Sequence, residues 1–218
     1  MSEVGTGLWL GIDTATGVCA GVARQGEVLA TGSVPRHNAH AESLMPLVSE
    51  VVEQAGITLG DLAGVVVGLG PGPFTGLRVG IVTAQTLAFV LDVPLKGVCS
   101  LDVVALQHAA TGPSGPYLVA TDARRKELYW AAYDARGART GGPEVTRPTE
   151  LPHLPVVGPG AELYPDAVQG GVPYALDAGV LAAHAERLPD AGTEPLYLRR
   201  PDAEVPTTVK SALPRRHP

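Results

Sequence analysis

The chain has 218 residues, of which 45% are hydrophobic, 17% charged and only 5% aromatic. This length suits one large or two small domains, and the composition is that of a globular protein with a core of Val, Leu and Ala. The net charge of −6 argues against nucleic-acid binding by the chain alone, because phosphate contacts need a basic surface.

The sequence predicts a cytoplasmic protein. Its apolar runs fall short of the ~18 residues of a membrane span, and the first residues lack the basic-then-apolar pattern of a signal peptide. Cys19 and Cys99 lie in apolar surroundings without the spacing of a metal or redox site. We therefore expect two buried thiols in a reducing cytosol.

The first half predicts an antiparallel meander followed by alternating helices and strands. Pro46 fits the helix expected at 40–55 if Ser43 is its N-cap, because a first-turn residue has no amide partner to lose. The predicted strands are 8–12, 18–24, 27–34, 63–69 and 94–98, and the predicted helices are 40–55, 75–91 and 101–110.

A glycine-rich loop separates the strand at 63–69 from the helix at 75–91, which we expect Thr75 to cap. A strand, a rigid loop and a helix N-terminus together are typical of sites for oxygen-rich ligands. The spacing of Gly68, Gly70 and Gly72 matches neither a P-loop nor a dinucleotide fingerprint. A loop whose glycines serve only turn geometry and close packing is an equal alternative.

After the linker at 111–116 the pattern of the first half begins again. The segment 117–122 is a strand that closes on Asp122, as 8–13 closes on Asp13, 109 residues earlier. The return strand at 127–133 answers the one at 18–23, so we predict a duplicated α/β unit. The predicted domains are an N-terminal lobe at 1–110, a smaller C-terminal lobe at 111–199 and a flexible tail at 200–218.

The rest of the second half is irregular in the sequence. Prolines recur between Gly141 and Pro173, and we expect one short strand at about 155–157. A helix at about 179–188 and a strand at 196–199 complete the predicted fold.

Four local patterns have a functional interpretation beside a structural alternative. Asp13 at a strand end suits a metal-bound water or phosphate, or it closes a hairpin by accepting backbone amides. The turn of Gly158 and Gly160 suits a flat ligand close to the backbone, although such turns are common. His37 and His40 share a helical spacing without a third ligand nearby, so a solvated helix entry is favoured over zinc. The charged turn at 122–127 is either an ionic turn or a partner surface.

Small residues recur at every fourth position of the helix at 75–91. The stripe either packs within the molecule or receives a second helix, together with an apolar face of the helix at 40–55. We predict this pair of helices as a partner surface centred on Gly80 and Ala84. Its other predicted members are Leu44, Leu47, Val51, Gly76 and Leu87.

Four segments together resemble the bacterial TsaB (YeaZ) family. They are Leu-Gly-Ile-Asp-Thr-Ala-Thr at 10–16, Gly-Pro-Gly-Pro-Phe-Thr-Gly-Leu-Arg-Val-Gly at 70–80, Asp-Ala-Arg-Arg-Lys-Glu-Leu-Tyr at 122–129 and Pro-Leu-Tyr-Leu-Arg at 195–199. The similarity covers residues 8 to about 199. It implies an actin-like, sugar-kinase-like (ASKHA) α/β fold with two related lobes, the second reduced.

The resemblance also implies a function in forming N6-threonylcarbamoyladenosine (t6A) in tRNA. TsaB proteins are regarded as non-catalytic partners of TsaD, which transfers the threonylcarbamoyl group, and the ATPase TsaE joins the assembly. We therefore expect TsaD and TsaE as partners, a homodimer as an alternative pairing, tRNA contact only through the complex, and no required cofactor. A nucleotide at a subunit interface is compatible with this expectation.

The metal pair of TsaD-like proteins is expected to be absent here. The resemblance aligns its His-x-x-x-His with Ser100 and Val104, and valine cannot bind a metal. Two rival functions stay open: an ATP-dependent enzyme of the same fold, with Asp13, Gly158 and Gly160 as nucleotide contacts, and a metal-dependent hydrolase. Against the first, the turn after Asp122 lacks the glycine that lets amides approach phosphate.

Overall fold

The computed structural model describes residues 7–34, 41–168 and 170–199. The histidines His37 and His40, for which a solvated helix entry is predicted, and the predicted tail at 200–218 lie outside these residues. The strands are β1 (Leu8–Asp13), β2 (Val18–Arg24), β3 (Glu27–Val34), β4 (Leu62–Gly68), β5 (Leu95–Val98), β6 (Tyr117–Asp122), β7 (Leu128–Tyr133), β8 (Arg139–Thr146) and β9 (Val156–Val157). The helices are α1 (Leu44–Gln54), α2 (Phe74–Leu91), α3 (Ser100–Ala109) and α4 (Ala178–Ala183).

The strands form two sheets of the same design. The first has the order β3-β2-β1-β4-β5 and the second the order β8-β7-β6-β9. In each, three antiparallel strands are followed by a strand parallel to the first, β4 beside β1 and β9 beside β6. Asp13 and Asp122 are the last residues of the equivalent strands β1 and β6. The predicted duplication of the α/β unit is confirmed at the level of topology.

The helices cover the two faces of the first sheet unequally. Side chains of α1 and α2 share one buried cluster with Leu10, Ile12 and Val67. The opposite face contributes Val66 to a second cluster, which contains residues of α3, α4 and the second sheet. Helix α4 packs on the first sheet although it comes from the C-terminal part of the chain. The predicted boundary at 110/111 lies between the two sheets, and one of the three buried clusters contains residues from both sides of it.

Irregular chain covers the outer face of the second sheet. Leu118, Leu128 and Trp130 pack there against Leu151 and Val168, which belong to segments without long helices. The second unit is therefore smaller than the first, with loops in the place of the helices α1 and α2.

The structure differs from the sequence predictions at three places and agrees at a fourth. Strand β8 was not predicted, because two glycines and Pro143 argue against a strand; Pro143 is tolerated because β8 is an edge strand. The predicted strand at 196–199 is wrong, although Leu196 donates its amide to the carbonyl of Leu69 at 2.8 Å. Thr75 does not cap α2, which begins at Phe74 after Pro73. Ser43 is the N-cap of α1 as predicted, without a side-chain bond.

Candidate functional site

Asp13 is sealed inside the protein at the end of β1. Its carboxylate is fully buried and accepts hydrogen bonds from the amide of Ala15 at 2.7 Å and from the hydroxyl of Ser100 at 2.5 Å. Gly68 makes room for it, because a Cβ there would overlap the Asp13 carboxylate. Burial raises the pKa of Asp13 from 3.8 to about 6, against the two hydrogen bonds that lower it.

The glycine loop holds the turn that follows Asp13. A Cβ at Gly72 would lie 2.8 Å from the Ala15 carbonyl oxygen, so this glycine permits a backbone contact. The Thr14 hydroxyl donates to the Gly76 carbonyl at 2.8 Å and accepts the Gly80 amide at 3.2 Å. These contacts favour the close-packing interpretation of the loop over ligand binding.

Gly158 and Gly160 use their amides inside the second lobe. The Gly158 amide donates to the Val172 carbonyl at 2.9 Å, and the Gly160 amide donates to the Ala120 carbonyl at 2.8 Å. The close approach that these glycines permit is to β6 itself. Both amides are therefore occupied, and the prediction that they are nucleotide contacts gains no support.

The two candidate turns nevertheless border one cleft between the sheets. Thr16 and Gly17 line it from the first lobe, and Pro159 and Tyr174 line it from the second. The cleft has a volume of about 370 Å³. The structure brings the turns together, but it directs the Asp13 carboxylate and the glycine amides to partners within the chain.

Ser100 and Val104 serve packing and hydrogen bonding. The Ser100 hydroxyl accepts the Gly70 amide at 3.1 Å while it donates to Asp13. Val104 is 3% exposed and belongs to the apolar cluster around α3. Within residues 7–34, 41–168 and 170–199, the structure contains no group of three or more His, Cys, Asp or Glu that could hold a metal.

The predicted interface centred on Gly80 and Ala84 is wrong in its residues. Ala84 is 0% exposed, and a Cβ at Gly80 would lie 2.3 Å from the Thr14 hydroxyl. The small stripe of α2 therefore packs on the molecule's own sheet and on the turn after Asp13. Leu44, Leu47, Val51 and Leu87 are likewise buried in the chain's own core, and Gly76 is half-buried over Thr14.

The opposite side of α2 exposes large apolar side chains beside the polar side chains of Arg78, Gln85 and Thr86. Val82, Phe89 and Val90 have exposed fractions of 57%, 87% and 71%, and Met45 of α1 is 40% exposed. These residues were not predicted. Helix α2 thus has apolar side chains on its exposed side as well as on its buried side, and exposed apolar side chains signal a second packing surface. Helix α2 has the length and composition of a membrane span, although core helices of globular proteins meet the same criteria.

Three of the four segments that carry the family resemblance meet in one cleft. It has a volume of about 190 Å³ and is lined by residues of the glycine loop, of the turn after Asp122 and of 197–199. Phe74 stacks on Tyr197 with ring centroids 4.9 Å apart, and Arg78 lies 4.2 Å above the Phe74 ring. The Arg78 guanidinium also donates to the Tyr197 hydroxyl at 3.0 Å.

The turn between β6 and β7 has a left-handed backbone. Arg124, Arg125 and Lys126 have φ angles of 62°, 54° and 61°. This conformation costs a residue other than glycine about 1–2 kcal/mol, and such strain is typical of functional turns. The Ala123 amide donates to the Glu127 carbonyl and the Arg124 amide to Asp122, so the turn offers neither amide to a ligand.

Arg199 ties the C-terminal segment to this turn. Its guanidinium donates to the Ala123 carbonyl at 2.9 Å and pairs with the Glu127 carboxylate. The side chains of the three left-handed residues are all exposed, while Ala123 is buried. The turn is thus anchored at its base and presents three cations to solvent.

The thiols agree with the sequence prediction. Cys19 and Cys99 are free and buried, at 4% and 1% exposure. Burial raises the pKa of Cys99 to about 12 and that of Cys19 in the same direction. Both are therefore protonated and unreactive at neutral pH.

Comparison with known proteins places these features in a family. The family model of TsaD, tRNA N6-adenosine threonylcarbamoyltransferase, matches residues 28–204. An uncharacterized protein of Mycobacterium tuberculosis is 42% identical over 219 residues, covering 94% of this chain and 97% of its own length. The tRNA threonylcarbamoyladenosine biosynthesis protein TsaB of Escherichia coli is 37% identical over 126 residues, which are 57% of this chain and 54% of that protein.

Solved structures share the fold. YeaZ from Pseudomonas aeruginosa superimposes with a TM-score of 0.72 and 25% identity, over 88% of this chain and all of that one. A second structure from the same organism, an uncharacterized protein with similarity to peptidase YEAZ, superimposes with a TM-score of 0.74 and 24% identity. The match again covers 88% of this chain and all of that one. The two related sheets are those of the actin-like, sugar-kinase-like (ASKHA) fold, as the family resemblance implied. The family model and the named relatives agree, and the chain belongs to the TsaD-type family and, within it, to the TsaB (YeaZ) proteins.

Proposed function

We propose that this chain is a non-catalytic subunit of the cytoplasmic assembly that forms t6A in tRNA, in which it pairs with TsaD and is joined by TsaE. The names of its relatives support a function in t6A biosynthesis. The observation that carries the partner function is the exposed apolar face of α2, with Phe89 87% exposed. Apolar side chains exposed together on one helix face are typical of a protein interface.

The interior of the chain supports a function without chemistry of its own. The Asp13 carboxylate is the candidate acid at a strand end of the first lobe. It is fully buried and accepts hydrogen bonds from the Ala15 amide and the Ser100 hydroxyl. The residues aligned with the TsaD metal ligands contribute a hydroxyl bound to Asp13 and a buried valine. We propose no required cofactor for this chain, and a nucleotide at a subunit interface stays a prediction.

The rival enzymatic functions lack support from the same residues. An ATP-dependent enzyme needs free amides near phosphate, and those of Gly158, Gly160 and Ala123 donate to carbonyl groups of the chain itself. A metal-dependent hydrolase needs a ligand cluster, and the described residues contain none. The exposed apolar side chains of α2, by contrast, support pairing with another subunit.

Co-purification with TsaD from the same cell tests the proposal. We expect the wild-type chain to elute with TsaD in sizing chromatography, and Phe89→Asp to elute alone with an unchanged circular dichroism spectrum. Loss of a central apolar contact weakens association at least about tenfold. Leu163→Asp is the matched control, because Leu163 is 46% exposed on the other lobe.

The same preparations test whether the chain is catalytic. With tRNA and threonylcarbamoyl-adenylate we expect t6A from the complex and none from the chain alone. Product from the chain free of TsaD would refute the non-catalytic proposal, and normal binding of Phe89→Asp to TsaD would refute the α2 interface. A homodimer through the same face would compete with the heterodimer.

A further inference from the structure

We propose that the left-handed turn of Arg124, Arg125 and Lys126 contacts the phosphodiester backbone of RNA when the chain is in its complex. The proposal rests on the proposed function and adds a site to it. It begins from the backbone: three successive residues other than glycine have φ angles between 54° and 62°. Glycine would adopt these angles without strain, so the turn retains charged side chains where the backbone disfavours them.

The contacts that hold the turn are made by the residues at its two ends, and the side chains of 124–126 are exposed. The Arg199 guanidinium contacts the Ala123 carbonyl and Glu127, and Asp122 accepts the Arg124 amide at 2.7 Å. The side chain of Arg124 is 69% exposed, and its Nε lies 3.7 Å from an Asp122 carboxylate oxygen. An exposed ion pair with this distance is weak, so the Arg124 guanidinium can contact a phosphate instead.

Aromatic rings border the cations. Phe74 and Tyr197 are stacked and each is 36% exposed. They line the same cleft as Arg124 and Arg125. Exposed aromatic rings beside cations are typical of surfaces that bind single-stranded nucleic acid, because rings stack on bases and cations contact phosphates.

The size of the cleft favours a chain over a free nucleotide. At about 190 Å³ it is smaller than the roughly 300–1,000 Å³ of small-molecule sites. A nucleotide would not be enclosed there, whereas an RNA strand can lie across it. The chain's net charge of −6 explains why this contact needs a complex that supplies further affinity.

Glycine substitutions in the turn test the proposal in the assembled complex. We expect Arg124→Gly and Lys126→Gly to assemble with TsaD and TsaE as the wild type does and to bind tRNA more weakly. Each lost phosphate contact should reduce the slope of log K against log salt by about 0.7–0.9. The melting temperature of the free chain should stay equal or rise, because glycine relieves the left-handed strain.

Two control variants separate charge from backbone. Gln25→Gly relieves a comparable φ of 52° in the β2–β3 hairpin without removing a cation, so its tRNA affinity should equal that of the wild type. Arg124→Lys keeps the charge and should keep the salt slope.

Two results would overturn the proposal. One is an unchanged tRNA affinity and salt slope in both glycine variants. The other is failure of these variants to assemble while the free chain stays folded, which would assign the turn to an acidic protein surface. A wild-type chain that does not assemble with TsaD would instead refute the proposed function.

Discussion

At the scale of single residues, Asp13 is where electrostatics oppose folding. Its pKa of about 6 in the folded chain lies above its ordinary value of 3.8, so the unfolded chain releases this proton first. The shifted pKa of Asp13 therefore does not lower the free energy of unfolding below pH 4, and it lowers that free energy as the pH rises from about 4 to about 6. A shift of about two pKa units corresponds to about 3 kcal/mol.

Asp13→Asn should abolish this pH dependence. Because asparagine has no charge to bury, we expect the melting temperature of the wild type, relative to the variant, to fall between pH 4 and pH 6 and to stay level above pH 7. Other carboxylates cancel in the comparison. Thermal unfolding of both proteins from pH 3.5 to 8 measures this difference in melting temperature. A constant difference over that range would contradict the raised pKa of the buried carboxylate.

Gly80 and Thr14 form a second residue-scale test. A Cβ at Gly80 would lie 2.3 Å from the Thr14 hydroxyl, which is held by the Gly76 carbonyl and the Gly80 amide. We expect Gly80→Ala to lose about 1–3 kcal/mol by overpacking. Thr14→Ala should then rescue it, because removal of the hydroxyl and methyl opens the space. A double-mutant cycle by urea unfolding checks this, and additive effects of the two substitutions would argue against the contact.

At the scale of elements, α4 depends on glycines of the strands beneath it. A Cβ at Gly21 would lie 2.3 Å from the Gly179 amide nitrogen, and one at Gly11 would lie 2.3 Å from the Ala178 carbonyl oxygen. Asp177 caps the helix and also accepts the Thr31 hydroxyl at 2.6 Å. Helix α4 is therefore held by backbone contact with β1 and β2 and by a hydrogen bond to β3.

Gly21→Ala should detach α4 from the sheet. Its Cβ meets backbone atoms, which cannot rotate away, so we expect a loss of at least about 1–3 kcal/mol. Hydrogen exchange should show lost protection in α4 before β6 or β7 is affected. Gly141→Ala is the control, because its Cβ would meet only the Ala132 side chain at 3.8 Å. Equal protection of α4 in both variants would show that the close approach is unimportant.

Periodicity and turn chemistry predicted most elements, and the misses share a cause. The sequence predicts that the small stripe of α2 faces a partner, because sequence alone does not show which side of an apolar helix the sheet covers. The neighbour that decides it is Thr14, 66 residues before Gly80. Gly141, Gly142 and Pro143 argue against a strand at β8, because such residues are rare in central strands. They are tolerated there because β8 is an edge strand. Long-range contacts, not local propensity, settle both cases.

At the scale of the whole molecule, the repeated Asp13 and Asp122 signal predicted the two related sheets. The crossing of α4 to the first sheet has no local signature, because it depends on glycines in β1 and β2 that read as ordinary strand residues. The same holds for the cleft of Phe74, Tyr197 and Arg124. Each segment was recognised in the sequence, but their meeting is a property of the fold.

The charge of the whole molecule limits what the isolated chain does with tRNA. With 22 acidic and 16 basic residues, the chain as a whole repels a polyanion, and the exposed turn at 124–126 opposes this with three cations. We expect weak, non-specific binding, of the order of 10⁻⁶–10⁻⁴ M at physiological salt. Fluorescence anisotropy with tRNA and with an unrelated RNA of equal length measures it, and equal affinities are the expected result. Submicromolar binding that prefers tRNA in the absence of TsaD would contradict the prediction that tRNA is reached through the complex, because a single turn would then supply affinity that the net charge opposes.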